Sequence, residues 1–426
     1  MLHMRRFRPD VYWFAFVVLA VATRIAVWTF SGPIILDDSA TYLELADQIR
    51  HLDFSNYSGI RTPGYPLLMI AAGMNTHTVW IFQSVIGVLT GALVFSLVSD
   101  WTKSKGAGCI AGGVQTLNPF QLLPEATVLT ETLTAFLLTL SLYLATRAFD
   151  SHSRVVHLSL GSTLGLVVLT RPLFLAVIPV YATVLWFGRP GISGHERNFS
   201  ALWAAGPTVF LLAAWVAFNS IMLGYPGLTT LTGYNLVQHT GAFFELAPDQ
   251  WEPLRSIFLR YRDLLGTHTM AIWAAHPDMR METGYSFSEL SLRLTAMSLD
   301  LIVSHPLRYI ASVGYSLIQF WIPFAWWHLR TYPGPLQGYL AKYVLAGAAL
   351  LMGLELWTPV ALVFLWRRRP IRPVWNLIML TCGVIIFIDV AQALIERGEN
   401  FRYSAPIQPF VVAVAVWAAR FTGSRA

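Results

Sequence analysis

Apolar runs of near-membrane length recur along almost the whole chain, at about 11–30, 79–99, 106–123, 129–148, 156–170, 173–188, 200–222, 338–366, 374–392 and 403–420. Roughly 20 helical residues cross a hydrocarbon core of about 30 Å. No water is available there to satisfy backbone groups, so such runs fold as helices. Only 12% of the 426 residues are charged and 55% are apolar, about half the charge a soluble surface needs. A soluble multidomain enzyme is excluded. The expected fold is an all-α polytopic membrane protein with about 10–11 transmembrane helices.

The first run follows Arg5, Arg6 and Arg8, is long and lacks a clear small-residue cleavage site, so it reads as a retained anchor with a cytoplasmic N-terminus. On that threading the inside segments carry 15 basic and 4 acidic residues, against 12 and 17 outside. The net charge of +6 is therefore mostly the excess of Lys and Arg on cytoplasmic loops. It is dispersed over short loops, so a nucleic-acid partner is not expected. Both termini are expected in the cytoplasm, in an inner, cytoplasmic membrane. The two cysteines, Cys109 and Cys382, lie in separate apolar runs and build neither a disulfide framework nor a zinc site.

Three units follow: a transmembrane module 1–222 with a first external loop 31–78, an external cap 223–305, and C-terminal helices 306–426. The cap carries 5 Arg and 8 acidic residues, with a helical stretch near 286–303. Segment 303–327 is apolar enough to cross, but a crossing would put Arg367, Arg368 and Arg369 outside, so a re-entrant or interfacial segment is expected.

Polar residues capable of chemistry concentrate in the external segments. Tyr42, Leu45, Ala46, Ile49 and Leu52 recur at helical spacing, with Glu44, Asp47, Gln48 and His51 opposite them, which predicts a helix lying on the membrane surface. Asp37 and Asp38 start it. Aspartate is a favoured helix cap, but a cap needs one carboxylate; the second suits a general base or a divalent-cation ligand. In Arg61-Thr62-Pro63-Gly64-Tyr65-Pro66 the prolines and glycine set a rigid turn, with a helix start allowed at Pro66. Arg61 beside it suits phosphate. Glu125 and Glu131 fall at one external junction. Arg171, between two apolar runs, needs an anion or an aqueous cavity. Glu399, Arg402 and Tyr403 belong to the densest polar run touching a span, which a snorkelling interfacial loop would also explain. Transporters instead gather charge near the midplane, where this chain offers Glu355, Asp389 and Arg24.

The ordered set Leu36-Asp37-Asp38 with Tyr42 and Ala46, Arg61 to Pro66, Asn118-Pro119 followed by Thr130-Glu131, Leu169-Thr170-Arg171-Pro172, and Glu399 through Arg402-Tyr403 to Pro406 and Pro409 spans most of the chain. It resembles the GT-C integral membrane glycosyltransferases, in the group of protein mannosyltransferase and lipid A aminoarabinose transferase relatives. This chain has Asp37-Asp38 where the family often has Asp-Glu, and its cap matches no pattern of the group. The resemblance implies a polyprenyl-phosphate sugar donor and inverting transfer of a hexosyl or pentosyl group at the extracytoplasmic face. The acceptor would be a lipid, glycan or protein hydroxyl. It further implies Asp37 or Asp38 as base, with Asp37 slightly favoured and Asp38 as cap or metal ligand. Arg171, Arg402 and Arg61 would hold the donor phosphate, with Glu131, Glu399, Tyr403 and Tyr42 in support. Members differ in using a divalent cation; Mg²⁺ or Mn²⁺, where used, would fall to Asp37 and Asp38. The competing readings are a transporter or flippase of lipid-linked sugars, working through Glu355 and Asp389, and a polysaccharide polymerase or ligase.

Overall fold

The computed structural model describes residues 10–151, 153–188, 193–324, 334–367 and 372–423. Arg5, Arg6, Arg8, Arg368, Arg369 and the end of the 303–327 segment lie outside the described residues. The first half runs α1 (Val11–Phe30), α2 (Asp37–His51), α3 (Gly64–Ala71), α4 (Thr76–Thr102), α5 (Lys105–Leu117), α6 (Pro119–Leu122), α7 (Glu131–Asp150), α8 (Arg154–Thr170), α9 (Val177–Phe187) and α10 (Gly194–Leu223). The second half runs α11 (Thr232–Thr240), α12 (Leu254–Leu265), α13 (His268–Thr283), α14 (Phe287–Ser304), α15 (Pro306–Phe320), α16 (Gly334–Arg367), α17 (Arg372–Ile395), α18 (Phe401–Ser404) and α19 (Gln408–Gly423). Among the described residues there is no strand, only one isolated bridge between Ile34 and Thr127.

Six of these helices are long and apolar enough to cross a membrane: α1, α4, α7, α10, α16 and α17, over Leu336–Val360 in α16 and Trp375–Ile395 in α17. Arg154–Thr170 and Pro172–Phe187 are shorter apolar helices. The chain is thus a multi-pass all-α membrane protein, with several apolar runs divided differently from their hydropathy. The run at 106–123 ends as a helix at Leu117, because Asn118 turns away and its side chain caps Phe120 N–H at 3.0 Å, with Pro119 opening the next short helix. The run at 403–420 is likewise divided around Pro406 and Pro409 into α18, a 3₁₀ turn at Ala405–Ile407, and α19. Hydropathy is blind to both breaks because the flanking residues stay apolar. Within segment 303–327, Pro306–Phe320 forms α15, which is 15 residues long, with Ser312, Ser316 and Phe320 on its buried side.

One apolar core joins α4, α5, α7, α9, α17 and α19, with Trp101, Phe120, Phe174, Phe401 and Trp417 buried in it. A second core lies within α11–α14, where Tyr234, Phe244, Phe258, Ile272, Met279 and Leu294 are buried together. These four helices therefore have their own packing and are joined to the bundle through α15. The Tyr309 hydroxyl there donates to the Leu394 carbonyl at 2.5 Å.

Candidate functional site

The N-terminus of α2 is capped without help from its aspartates. Leu36 is the cap residue, and its N–H donates to the Ser39 hydroxyl at 3.0 Å. This corrects the expected capping role: Asp37 and Asp38 occupy the first turn, near the positive helix pole, with both carboxylates free to point elsewhere. The two then diverge. Asp38 accepts from Arg61 Nη2 at 2.6 Å on one oxygen and from Arg402 Nη1 at 3.1 Å on the other. Asp37 is exposed and has no hydrogen-bond or ion-pair partner among the described residues. Burial alone would raise the Asp38 carboxyl, but Arg61 and Arg402 outweigh it and hold it at about 2.

Arg61 is fixed from three sides. Its Nε donates to Thr41 Oγ1 at 2.8 Å, its Nη1 reaches the Tyr42 hydroxyl at 3.3 Å, and its guanidinium lies 4.4 Å over the Tyr42 ring. The turn carrying it is set by Pro63 and by Gly64, whose missing Cβ lets α3 start against the Leu169–Thr170 backbone. The helix starts two residues before the expected Pro66.

Glu131, at the start of α7, is the hidden centre of the cluster. Its side chain is only 4% exposed. Oε1 faces Arg402 Nε at 3.0 Å and Arg171 Nη2 at 3.4 Å. Arg402 also reaches Glu399 at 2.6 Å, and Arg171 lies 4.4 Å over the Tyr403 ring. The Tyr403 hydroxyl donates to Glu396, a carboxylate the sequence reading left without a role; burial pushes its carboxyl above the ordinary range. Thus α2, the turn before α3, the junction of α8 with Pro172, α7 and the 396–403 segment bring together every expected site residue. Glu125, grouped with Glu131 by sequence, goes elsewhere: it forms a buried pair with Arg24 at 2.5 Å inside the bundle.

These groups line a cavity of about 1940 Å³ between the bundle and the α11–α14 unit. Asp37, Asp38, Arg61, Arg171, Arg402 and Tyr403 form its charged end, while Glu131 lies behind the wall. Leu173, Ile178, Leu212 and Val216 give it an apolar flank against α9 and α10. Trp273, His276, Arg280 and Phe287 line it from the other unit, and nothing in their sequence context marked them. The donor set does not fit the divalent cation weighed for Asp37 and Asp38. Both Asp38 oxygens face guanidinium groups, and among the described residues no three His, Cys, Asp or Glu side chains gather as a metal site.

The fold and site define a polytopic helical membrane protein whose large cavity has an arginine-rich end and an apolar flank. The chain is similar to the solved structure of ArnT from Cupriavidus metallidurans in the apo state, with 13% identity, TM-score 0.39, and coverage of 90% of this chain and 78% of that one. It is also similar to ArnT from Cupriavidus metallidurans bound to undecaprenyl phosphate, with 16% identity, TM-score 0.35, and coverage of 89% and 76%. By sequence, no protein family and no curated protein matches it.

Proposed function

We propose that the chain is a membrane glycosyltransferase that moves a hexosyl or pentosyl group, with inversion, from a polyprenyl-phosphate donor to an acceptor hydroxyl at the extracytoplasmic face of the inner membrane. The reading is carried by one arrangement: Arg171 and Arg402, both anchored on the buried Glu131, share a cavity wall with the unpartnered Asp37. The resemblance of the ordered motifs to the GT-C enzymes supports it.

The chemistry assigns each group a task. The acceptor oxygen bonds to the anomeric carbon on the side away from the phosphate, the carbon–oxygen bond to phosphate breaks, and its electron pair leaves with the polyprenyl phosphate. The diester monoanion becomes a monoester with a second pKa of about 6. No strong acid is needed at that oxygen; positive charge is. Arg171 and Arg402 supply it in a fixed geometry, and guanidinium suits the bidentate contact. Asp37 takes the acceptor proton, because Asp38, held at about 2 between two arginines, is too weak a base. Asp38 instead positions Arg61 and Arg402. The apolar flank of Leu173, Ile178, Leu212 and Val216 receives the first isoprene units.

The transporter reading gains nothing from the structure. Asp389 accepts from Trp321 at 2.9 Å and Gln392 at 3.3 Å, and neither it nor Glu355 lines the cavity. The test is incubation of purified wild-type and Asp37→Asn protein with a panel of radiolabelled polyprenyl-phosphate sugars and a membrane extract as acceptor source. Label should leave the lipid with wild type and not with the variant. A folded wild type that turns over no donor, or a fully active variant, would overturn the reading.

A further inference from the structure

The cavity has a second pole, built by the α11–α14 unit, that the donor chemistry does not use. Of the five arginines between residues 223 and 305, three are spent on carboxylates: Arg255 on Asp249 and Glu252, Arg260 on Asp278, and Arg262 on Glu245 and Asp263. Arg280 and Arg293 form no ion pair within 4 Å among the described residues, Arg293 lying only near Glu289, and of these two only Arg280 lines the cavity. Its contact in the protein is a long one, from Nε to the Tyr285 carbonyl at 3.4 Å, which leaves the terminal nitrogens available. In a unit carrying eight acidic residues, a guanidinium at the cavity rim that forms no ion pair among the described residues offers its charge to an anion.

Beside it stands an aromatic wall. Tyr234 is parallel to Phe287 at 4.3 Å and 16°, and to Trp273 at 5.7 Å and 11°. Tyr234 is wholly buried and its hydroxyl donates to the Phe287 carbonyl at 3.1 Å, so the stack is fixed from behind. Trp273 and Phe287 line the cavity in front. His276 meets Tyr234 and Phe287 edge-on and also lines the cavity, and its Nδ1 is buried without a partner. A broad apolar ring, an imidazole edge and a guanidinium without an ion-pair partner among the described residues, on neighbouring positions, suit a ligand with both an apolar face and an anionic group. A pyranose presents such a face through its axial C–H groups.

We propose that Trp273, His276 and Arg280 form the acceptor subsite, and that the acceptor is a glycan unit carrying a phosphate or carboxylate. The proposal rests on the transferase reading for the word acceptor. The binding chemistry stands apart from it. Trp273 stacks on the sugar, Arg280 pairs with its anionic substituent, and the hydroxyl to be glycosylated points along the cavity toward Asp37.

The test is saturation-transfer NMR on the purified full chain in detergent, with glucose, glucose 6-phosphate and glucuronic acid as probes, with and without a polyprenyl monophosphate. Wild type should bind one or both charged sugars at least about fivefold more tightly than glucose, whether or not the lipid phosphate is present. A preference for the phosphate or for the uronate alone identifies which anion the site takes. Arg280→Ala should lower the charged sugars to the level of glucose, Arg280→Lys should recover part of the preference, and Trp273→Ala should weaken all three. Arg280 is exposed on α13, so its variants are expected to keep the wild-type melting temperature, which is measured alongside. Equal binding of charged and neutral sugars by wild type overturns the proposal. So does a preference that survives Arg280→Ala and disappears when lipid phosphate is added, because that anion sits on Arg171 and Arg402. A wild type that shows the Arg280-dependent preference yet transfers no sugar from any donor would sink the transferase reading and leave the anionic-sugar site standing.

Discussion

Asp38 and Arg402, 364 residues apart in the chain, meet in an ion pair of 3.1 Å. The pair ties the first turn of α2 to the segment after α17, and it separates two adjacent carboxylates into different jobs. Asp37→Asn is expected to lower kcat roughly 10²–10⁴-fold, with binding of polyprenyl phosphate unchanged. Asp38→Asn is expected to act mainly on donor KM, because it releases Arg61 and Arg402 together. Measuring both constants for both variants distinguishes base from holder; matching profiles would remove the distinction.

The same pair sets an acid limit. The Asp38 carboxyl is depressed from 3.8 to about 2, so its ionised form contributes stability above pH 4 that is lost as pH falls through about 2. Its side chain is 40% exposed, which keeps the contribution modest. Melting between pH 4 and 2 should therefore fall less steeply for Asp38→Asn than for wild type.

Glu131 holds Arg402 and Arg171 from a position 4% exposed, and its second oxygen is buried without a partner. Glu131→Gln keeps the shape and removes the charge, leaving two guanidinium groups beside a neutral amide. Breaking a buried pair in this way costs on the order of 3 kcal/mol. The variant should melt lower and bind lipid phosphate with altered affinity. An unchanged melting temperature would mean that water or lipid compensates the arginines.

Much of this cluster is legible in the sequence because its groups are hard to place anywhere else. Arg171 between two apolar runs needed an anion or an aqueous cavity, and it meets both, Glu131 and the cavity wall. The surface helix at Asp37–His51 followed from Tyr42, Leu45 and Ala46, all of which are buried. The partners of those residues were not legible. Glu125 and Glu131 stand six apart with similar surroundings, yet one meets Arg24 and the other Arg402, a choice made by helix packing and not by local pattern. The break at Asn118-Pro119 was missed for the opposite reason: the apolar period continues through it while the backbone does not. The cap's cavity wall was hidden, since no local pattern singles out Trp273 and Phe287, and it is their stacking on Tyr234 that makes them one surface.

A second pH window belongs to the junction of cap and bundle. His239 is buried, its Nδ1 faces Ser312 Oγ at 2.8 Å, and Arg397 Nη1 donates to the same hydroxyl at 2.9 Å. Burial, Arg397 and the nearby His268 depress its imidazole from 6.5 to about 4. His268 is depressed to about 4 by burial, Arg397 and Arg262. Both are neutral when folded and protonate first when unfolded, so stability should decline as pH drops from 6.5 toward 4. His239→Gln should flatten that decline without touching the one below pH 4. Identical melting curves for variant and wild type across this range would show that His239 is not linked to folding and leave the decline to His268.

Gly64 fixes how the Arg61 turn meets the Arg171 turn. A Cβ built on it falls 2.5 Å from Thr170 Oγ1, 2.7 Å from the Leu169 carbonyl oxygen and 2.7 Å from the Thr170 nitrogen. Two of these three atoms are backbone and cannot rotate away, so Gly64→Ala must push α3 from the end of α8, and Arg171 follows Thr170 directly. The expected result is a lower melting temperature and a several-fold rise in donor KM, with acceptor KM less affected. Adding Thr170→Ala removes only the hydroxyl contact, so the double variant should remain defective. Full recovery in the double variant would place the conflict at the Thr170 side chain and free the backbone of any role in setting Arg171.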